Sequence, residues 1–186
     1  MDQKRPATEQ SIRQPLVATL AITPSAQLYF NKLRQRHFPP ERNYLDAHLT
    51  LFHALPDEPW IIEDLKELVK DYKPFEATAR SITSLGNGTA VKIKSVELPV
   101  LHLRLQQKWF NFLTSQDRQK RSFHITIQNK VEPQEAKKLK LDMEKNFNPF
   151  DFTIQGIQLW RYLGGPWEFK SRFDFSSNAT ELLNPF

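Results

Sequence analysis

Apolar side chains recur along the chain at spacings that alternate between those of strands and those of helices. The apolar run 16–22 has the length of a strand, whereas apolar residues recur at helical spacing over 58–72. Pro24, Pro99 and Pro133 each stand where the first turn of a helix would begin. The pattern predicts strands at 16–22, 47–55, 75–85, 89–95, 123–131, 150–163 and 167–175, with helices at 23–36, 58–72, 99–113 and 133–146.

Alternation gives the second predicted strand two distinct faces. His48, Thr50 and Phe52 share one face, and His53 falls on the other, because successive side chains of a strand point to opposite sides. Further along, Asn87-Gly88 separates two predicted strands and is the favoured sequence for a type I′ hairpin turn.

Two segments of the chain resemble each other in order and content. The segment 48–51, His-Leu-Thr-Leu, is matched 76 residues later by 124–127, His-Ile-Thr-Ile. Downstream, 74–78 is matched 75 residues later by 149–153, and both read Pro-Phe-acidic-x-Thr. A predicted helix precedes each histidine strand, and a helix and a strand follow it. Self-similarity of this kind predicts two copies of one α/β unit.

The repeat sets the expected domain organisation. Its units span about 25–85 and 98–163, within one bilobal domain at 15–175. The polar residues 1–14 are expected to form a flexible leader, and 176–186 a tail.

Each copy of the repeat carries one histidine and one threonine two residues apart. Such residues lie about 6.6 Å apart on the same face of a strand. If the units pack about a two-fold axis, both motifs meet in one cleft. Such a cleft suits cleavage of a phosphodiester. One imidazole accepts a proton from water or a hydroxyl, and the other donates one to the departing oxygen. The two hydroxyls bind nonbridging phosphate oxygens. We predict His48 and His124 as the catalytic pair and Thr50 and Thr126 as phosphate ligands. The motifs do not indicate which histidine is the base.

The paired motifs resemble the signatures of the 2H phosphoesterase superfamily and, more narrowly, of its 2′-5′ RNA ligase-like branch. The segments 47–56 and 161–167 also resemble that branch. The resemblance implies an α+β fold, two-lobed and pseudo-symmetric, with two antiparallel sheets flanked by helices around a central cleft. It also implies a metal-independent phosphodiesterase for 2′,3′-cyclic phosphates or 2′-5′ linkages of RNA or nucleotides. Ligation in this family is ATP-independent and reverses the hydrolytic chemistry.

Three aromatic or basic residues are candidates for contacts with the rest of the substrate. Arg161 could pair with phosphate, and its neighbour Tyr162 could stack on a base, but only one of them can face the cleft. The alternative is that one of these side chains packs and the other is solvated. Tyr44 is a candidate aromatic wall near His48.

Composition narrows the chemistry. The chain carries 26 Lys and Arg against 21 Asp and Glu, and a net charge of +5 suits a phosphate-bearing partner. It has no cysteine, which excludes thiolate chemistry and iron–sulfur clusters. No HExxH motif or third ligand at diagnostic spacing indicates a metal site. No apolar run approaches the ~18 residues of a membrane span. We expect a cytoplasmic monomer without metal or cofactor, whose partners are RNA ends or nucleotides.

Other histidines and basic residues have simpler interpretations. His37 and His53 are expected to be structural, with a supporting role beside His48 as the alternative for His53. His102 is expected to pack against the protein or to lie at the surface. The basic loop 115–122 either steers RNA or is a solvated loop.

Two other functions stay open at this point. The cleft could bind RNA ends or nucleotides without turnover, although binding alone does not need two titratable imidazoles. It could also hydrolyse a cyclic phosphate that is not RNA, because the residues beyond the phosphate decide the substrate.

Overall fold

A computed structural model describes residues 14–176 of the chain. The predicted leader and tail lie outside these residues, apart from Gln14 and Ser176. The described residues form β1 (Leu16–Ile22), α1 (Pro24–His37), β2 (Leu49–Leu55), α2 (Pro59–Leu68), β3 (Phe75–Ser84), β4 (Thr89–Lys94), α3 (Glu97–Trp109), β5 (His124–Gln128), α4 (Pro133–Asn146), β6 (Phe150–Tyr162) and β7 (Trp167–Asp174). Every predicted helix and strand is present, with most ends within a few residues of the prediction.

All seven strands join one antiparallel sheet. Its order is β1-β2-β5-β4-β3-β6-β7, and an additional pairing of β1 with β6 closes the sheet on itself. The thirteen residues of β6 make the closure feasible, because this strand pairs with β1 along one edge and with β3 and then β7 along the other. The predicted α+β fold with antiparallel strands is confirmed, and the strands of the two predicted sheets form one closed, barrel-like sheet.

The strand pairings repeat in two halves. β1 pairs with β2 and β6, just as β4 pairs with β5 and β3. Between the halves, Leu49 pairs with Ile125 and Ala77 with Phe152, and each pair joins positions that match in the sequence repeat. This register is the one expected of two similar units related by a two-fold rotation.

Buried aliphatic residues fix the orientation of the two motif strands. Leu49, Leu51, Ile125 and Ile127 are all fully buried. Burying each of these side chains contributes roughly 1.5–3 kcal/mol, so the strands are held firmly with this face inward. The histidine and threonine that alternate with them in each motif are therefore directed away from this core.

The predicted type I′ turn at Asn87-Gly88 is wrong. The left-handed backbone conformation falls one residue earlier, on Gly86 with a φ of 78°. Glycine is required at position 88 for another reason, since a Cβ there would lie 2.2 Å from the carbonyl oxygen of Gln128. Close approach of β5 to this loop, rather than turn geometry, explains the second glycine.

Candidate active site

The pairing of β2 with β5 brings the two His-x-Thr motifs together. Leu49 pairs with Ile125, and because the strands are antiparallel, this register sets His48 across from Thr126 and Thr50 across from His124. The four polar side chains line one cavity of about 470 Å³, which we call the central cavity. The structure therefore assembles the predicted histidines and threonines in one place.

Both motif histidines are held in the same way. Nδ1 of His48 lies 2.8 Å from the carbonyl oxygen of Asp46, and Nδ1 of His124 lies 2.8 Å from that of Ser122. A carbonyl only accepts hydrogen bonds, so Nδ1 of each ring carries the hydrogen. In the neutral ring, Nε2 is then an unprotonated acceptor available to substrate. A backbone contact two residues upstream thus gives the two imidazoles matched orientations.

The environment favours the neutral form of both imidazoles. The pKa of His48 is lowered to about 4, chiefly by burial; the charge of Arg34 acts in the same direction, and the hydrogen bond to the Asp46 carbonyl opposes the shift. Burial also lowers the pKa of His124, and the charge of Arg121 acts in the same direction. A bound phosphate would reverse part of this shift, because a nearby anion favours the imidazolium.

A buried arginine lies on each side of the Leu49–Ile125 pair. Arg34 Nη1 donates to the carbonyl of Thr126 at 3.1 Å, and Arg121 Nη2 donates to the carbonyl of Thr50 at 3.1 Å. Among the described residues, β2 and β5 pair only at this one position, so the guanidinium groups hold the two strands together beside it. They also place positive charge close to both motifs.

Arg34 is fixed by several further contacts. Its Nε donates to Asn43 Oδ1 at 2.9 Å and to the carbonyl of Leu45 at 3.0 Å. Its guanidinium carbon lies 3.8 Å from the centre of the Phe38 ring. Burial lowers the pKa of Arg34 to about 10, with Asp46 opposing the shift, so the group stays charged at neutral pH. No feature of the sequence had marked this arginine.

The prediction that His53 faces away from His48 is wrong. The pairing of β1 with β2 shifts register between Thr50 and Phe52, which marks a β-bulge at Leu51. Leu51 and Phe52 are consequently both fully buried, and the alternation changes phase. His53 therefore lies in the lining of the central cavity with His48.

Beneath His53 lies a buried carboxylate. Asp117 is fully buried and accepts hydrogen bonds from the backbone N–H groups of His53 at 3.0 Å and Ala54 at 2.9 Å. Burial alone would raise the pKa of Asp117, but hydrogen bonds from His53 and Ala54 outweigh it and hold the pKa below its ordinary value. Arg121 Nη1 lies 3.7 Å from the carboxylate. Of the basic loop predicted to steer RNA or be solvated, Arg121 is thus built into the site, whereas Arg118 and Lys120 are exposed.

Tyr162, rather than Arg161, faces the central cavity. Tyr162 lines it together with Trp167, whose ring centre lies 4.6 Å from that of His48. The Arg161 guanidinium lies outside this lining and binds Asp57 and Glu168, with N–O distances of 3.1 and 2.7 Å. The substrate role predicted for Arg161 is therefore not supported, because two carboxylates already occupy its donors.

Tyr44 lies in a second cavity beside the first. This side cavity, of about 580 Å³, is lined by Tyr44, Arg34 and Trp160, and it shares His48 and Trp167 with the central cavity. The Tyr44 side chain is largely exposed. It is therefore placed to contact a group that extends beyond the motifs, rather than the reacting atoms.

Two histidines remain, His37 and His102, and of these His102 is structural. It is buried, stacks on Phe52 with ring centres 4.8 Å apart, and meets Phe123 edge to face. The pKa of His102 is lowered to about 4, chiefly by burial and in part by the charge of Arg121. This histidine therefore belongs to the core beneath β2.

The described part of the chain offers neither a metal-binding cluster nor a membrane-spanning helix. Within residues 14–176, no group of three or more His, Asp or Glu side chains is placed to hold a metal ion. In the same range, no helix is both long enough and apolar enough to cross a membrane.

Comparison with known proteins assigns the family. A model of the 2′-5′ RNA ligase superfamily matches residues 22–166, which is most of the chain. The chain therefore belongs to this superfamily. Membership supports a phosphoesterase-type activity. No curated protein matches the chain significantly.

Solved structures share the fold at low sequence identity. TT0787 of Thermus thermophilus has a TM-score of 0.59 and 14% identity, with 87% of this chain and 97% of that chain covered. E. coli LigT in complex with 3′-AMP has a TM-score of 0.56 and 16% identity, with coverage of 88% and 99%. LigT in complex with NADP+ has a TM-score of 0.55 and 16% identity, with coverage of 88% and 98%.

Proposed function

We propose that this protein is a metal-independent phosphodiesterase acting on 2′,3′-cyclic phosphates or 2′-5′ linkages of RNA or nucleotides. One observation carries the proposal. His48 and His124 are both anchored through Nδ1, which leaves two Nε2 atoms for proton transfer in a cavity that also holds two threonine hydroxyls. Paired imidazoles and hydroxyls suit phosphoryl transfer without a metal, because the protein itself supplies both the proton transfer and the oxyanion ligands.

Hydrolysis of a 2′,3′-cyclic phosphate follows from this arrangement. Nε2 of His48 accepts a proton from water as the water oxygen bonds to phosphorus. The bond from phosphorus to one ribose oxygen breaks, and that oxygen takes a proton from Nε2 of His124, whose imidazolium form the bound phosphate favours. Because its pKa is lowered to about 4, His48 is unprotonated at neutral pH and can accept this proton. When a ribose hydroxyl attacks phosphorus in place of water, the same proton transfers give ligation without ATP, because the phosphorus–oxygen bond that forms replaces the one that breaks. In the reverse direction the two roles exchange, and the 2′-5′ linkage is cleaved to the cyclic phosphate.

Thr50 and Thr126 complete the phosphate site. Each threonine lies across β2 and β5 from the histidine of the other motif, and both line the central cavity. Their hydroxyls donate to nonbridging phosphate oxygens, whose charge grows as water attacks. Each half of the repeat therefore contributes one proton-transfer group and one phosphate ligand, and we expect one chain to form a complete site as a monomer.

The aromatic residues around His48 provide contacts for the nucleoside. Tyr162 and Trp167 line the central cavity, and both offer flat rings on which a base can stack. The side cavity, with the exposed Tyr44 in its lining, is adjacent to this region, since His48 and Trp167 line both cavities. A substrate with a nucleoside on each side of its phosphodiester would occupy both cavities.

Turnover assays in the presence of EDTA test the proposal. The substrates are the four 2′,3′-cyclic nucleotides and a short 2′-5′-linked oligonucleotide. The parent is compared with His48→Ala and His124→Ala, and with His37→Ala as a control at the end of α1, outside the cavity. We expect turnover in the parent and the control and none in the two motif variants, and the position of the product phosphate identifies the bond that breaks.

Two other outcomes would contradict the proposal. Turnover that depends on added divalent metal would contradict the metal-free mechanism. If the folded parent turned over none of these substrates but bound nucleotides in a thermal-shift screen, the cavity would be a binding site or would act on a non-RNA cyclic phosphate.

A further inference from the structure

The central cavity holds a third imidazole, that of His53. Its Nδ1 accepts a hydrogen bond, whereas the Nδ1 atoms of His48 and His124 donate one. We infer that neutral His53 donates a hydrogen bond from Nε2 to the substrate phosphate. The inference rests on the proposed phosphodiesterase function and adds a phosphate ligand to it. His53 is not one of the His-x-Thr residues, and it reaches the cavity only because of the bulge at Leu51.

The contact with Arg121 sets the polarity. Nη1 of Arg121 lies 2.8 Å from Nδ1 of His53. An arginine can only donate and is not deprotonated in proteins, so Nδ1 must accept this hydrogen bond through its lone pair. The hydrogen of the neutral ring is then on Nε2. His48 and His124 have the opposite arrangement, since their Nδ1 atoms donate to backbone carbonyls.

Asp117 competes weakly for the same atom. Its Oδ1 lies 3.2 Å from His53 Nδ1, a longer separation than that to Arg121. Both carboxylate oxygens already accept from backbone N–H groups of His53 and Ala54 at 2.9–3.0 Å. The carboxylate is therefore satisfied without the imidazole, and its charge keeps the Arg121 guanidinium in place beneath the ring. The shorter contact decides the state of Nδ1.

The position of His53 makes its Nε2 hydrogen available to a ligand in the central cavity. The His53 side chain is 38% exposed, whereas Arg121 and Asp117 beneath it are 10% and 0% exposed. The ring is thus fixed on its buried side and open on its cavity side, where it meets the space shared with His48 and Thr50. A donor here offsets charge on a phosphoryl oxygen without releasing a proton. The imidazoles of His48 and His124 stay free for proton transfer.

Nitrogen NMR of the histidine rings tests the tautomers without any substrate. The full chain is labelled with 15N, and the rings are assigned with His48→Gln, His124→Gln and His53→Gln. We expect the Nε2–H form at His53 and the Nδ1–H form at His48 and His124. An Nδ1–H form at His53 would mean that the ring donates to Asp117, and it would overturn the inference.

Phosphate binding gives a second readout that does not depend on turnover. Inorganic phosphate is titrated into the labelled parent and into His53→Leu, with His37→Leu as a control. We expect phosphate to shift the His53 Nε2 resonance and to bind about 10-fold more weakly to His53→Leu, while the control binds as the parent does. An unmoved His53 resonance would contradict the inference, whereas a parent that binds phosphate but turns over no phosphodiester would count against the proposed function alone.

Kinetics separate a phosphate ligand from a structural residue. The amide nitrogen of glutamine reaches nearly the position of Nε2, so His53→Gln keeps a donor that His53→Leu removes. On a 2′,3′-cyclic nucleotide we expect kcat/KM to fall about 10- to 100-fold in His53→Leu and to stay within about 5-fold of the parent in His53→Gln. Equal losses in both variants would indicate a structural role, and no loss in either would exclude any role.

Discussion

Leu49 of β2 pairs with Ile125 of β5, and these two residues occupy the middle position of the two His-x-Thr motifs. Among the described residues this is the only pair that joins the two strands. It lies on the approximate two-fold axis and sets each motif histidine across from the threonine of the other motif. The catalytic geometry we propose is therefore fixed by the packing of two fully buried aliphatic side chains.

The threonine hydroxyls are expected to act on the transition state. Thr50→Val and Thr126→Val keep the shape of the side chain but remove the hydroxyl donor. We expect each change to lower kcat/KM on a 2′,3′-cyclic nucleotide by about 10- to 100-fold, because a hydrogen bond to a charged oxygen is lost. Thr78→Val is the control, since the Thr78 hydroxyl binds Asp151 away from the cavity. Equal effects of all three changes would contradict the assignment.

Arg34 is expected to contribute strongly to stability. Arg34→Met leaves the carbonyls of Thr126 and Leu45 and the amide of Asn43 without their donor. Loss of this buried network should lower the free energy of unfolding by about 2–4 kcal/mol in urea denaturation. Arg36→Met, an exposed change on the same helix, should have an effect of less than about 0.5 kcal/mol. The network would be unimportant if both changes had the same small effect.

Stability should fall in mild acid, and His102 should be one cause. Burial lowers the pKa of this histidine from 6.5 to about 4 in the folded protein. Below pH 6.5 the unfolded chain therefore binds more protons than the folded one, and the free energy of unfolding decreases as the pH falls from 6.5 to 4.

Urea denaturation across this pH range, on the parent and His102→Leu, checks the assignment. The variant should show a shallower dependence on pH, whatever its absolute stability. Parallel curves for the two proteins would show that His102 does not contribute.

The activity should be greatest on the acid side of neutrality. The proposed base, His48, has a pKa of about 4 and is neutral above it, whereas the proposed acid, His124, has a pKa below 6.5 and loses its proton as the pH rises. The kcat/KM profile for a cyclic nucleotide should therefore be bell-shaped with its maximum between about pH 4 and 6.5. The kcat profile should be shifted to higher pH, because bound phosphate raises both pKa values. A maximum of kcat/KM above about pH 8 would contradict the assignment.

The sequence predicted the fold and the two motifs for a physical reason. The alternation of polar and apolar residues indicates which face of a strand is buried. The sequence repeat indicates that two such faces are related by symmetry. His48, Thr50, His124 and Thr126 could be found because both signals are local and regular. Tyr162 and Arg161 could not be separated in advance, since alternation shows that neighbours point apart but not which of them meets the cavity.

The rest of the site depends on features without a local signal. The bulge that turns His53 into the cavity arises from the pairing of β2 with β1, and the pattern of β2 alone gives no sign of it. Arg34 is brought to Thr126 across 92 positions of sequence, and Asp117 to His53 across 64. Tertiary packing, not the residues around each position, determines these contacts.

One measurement tests the central claim most directly. It is kcat/KM on a 2′,3′-cyclic nucleotide in EDTA for the parent, His48→Ala, His124→Ala and the double variant. Because the two imidazoles act as a unit, we predict that each single change lowers kcat/KM by about 10³-fold or more and that the double change costs little beyond that. A single variant that keeps more than about one tenth of the parent activity would contradict the two-histidine mechanism.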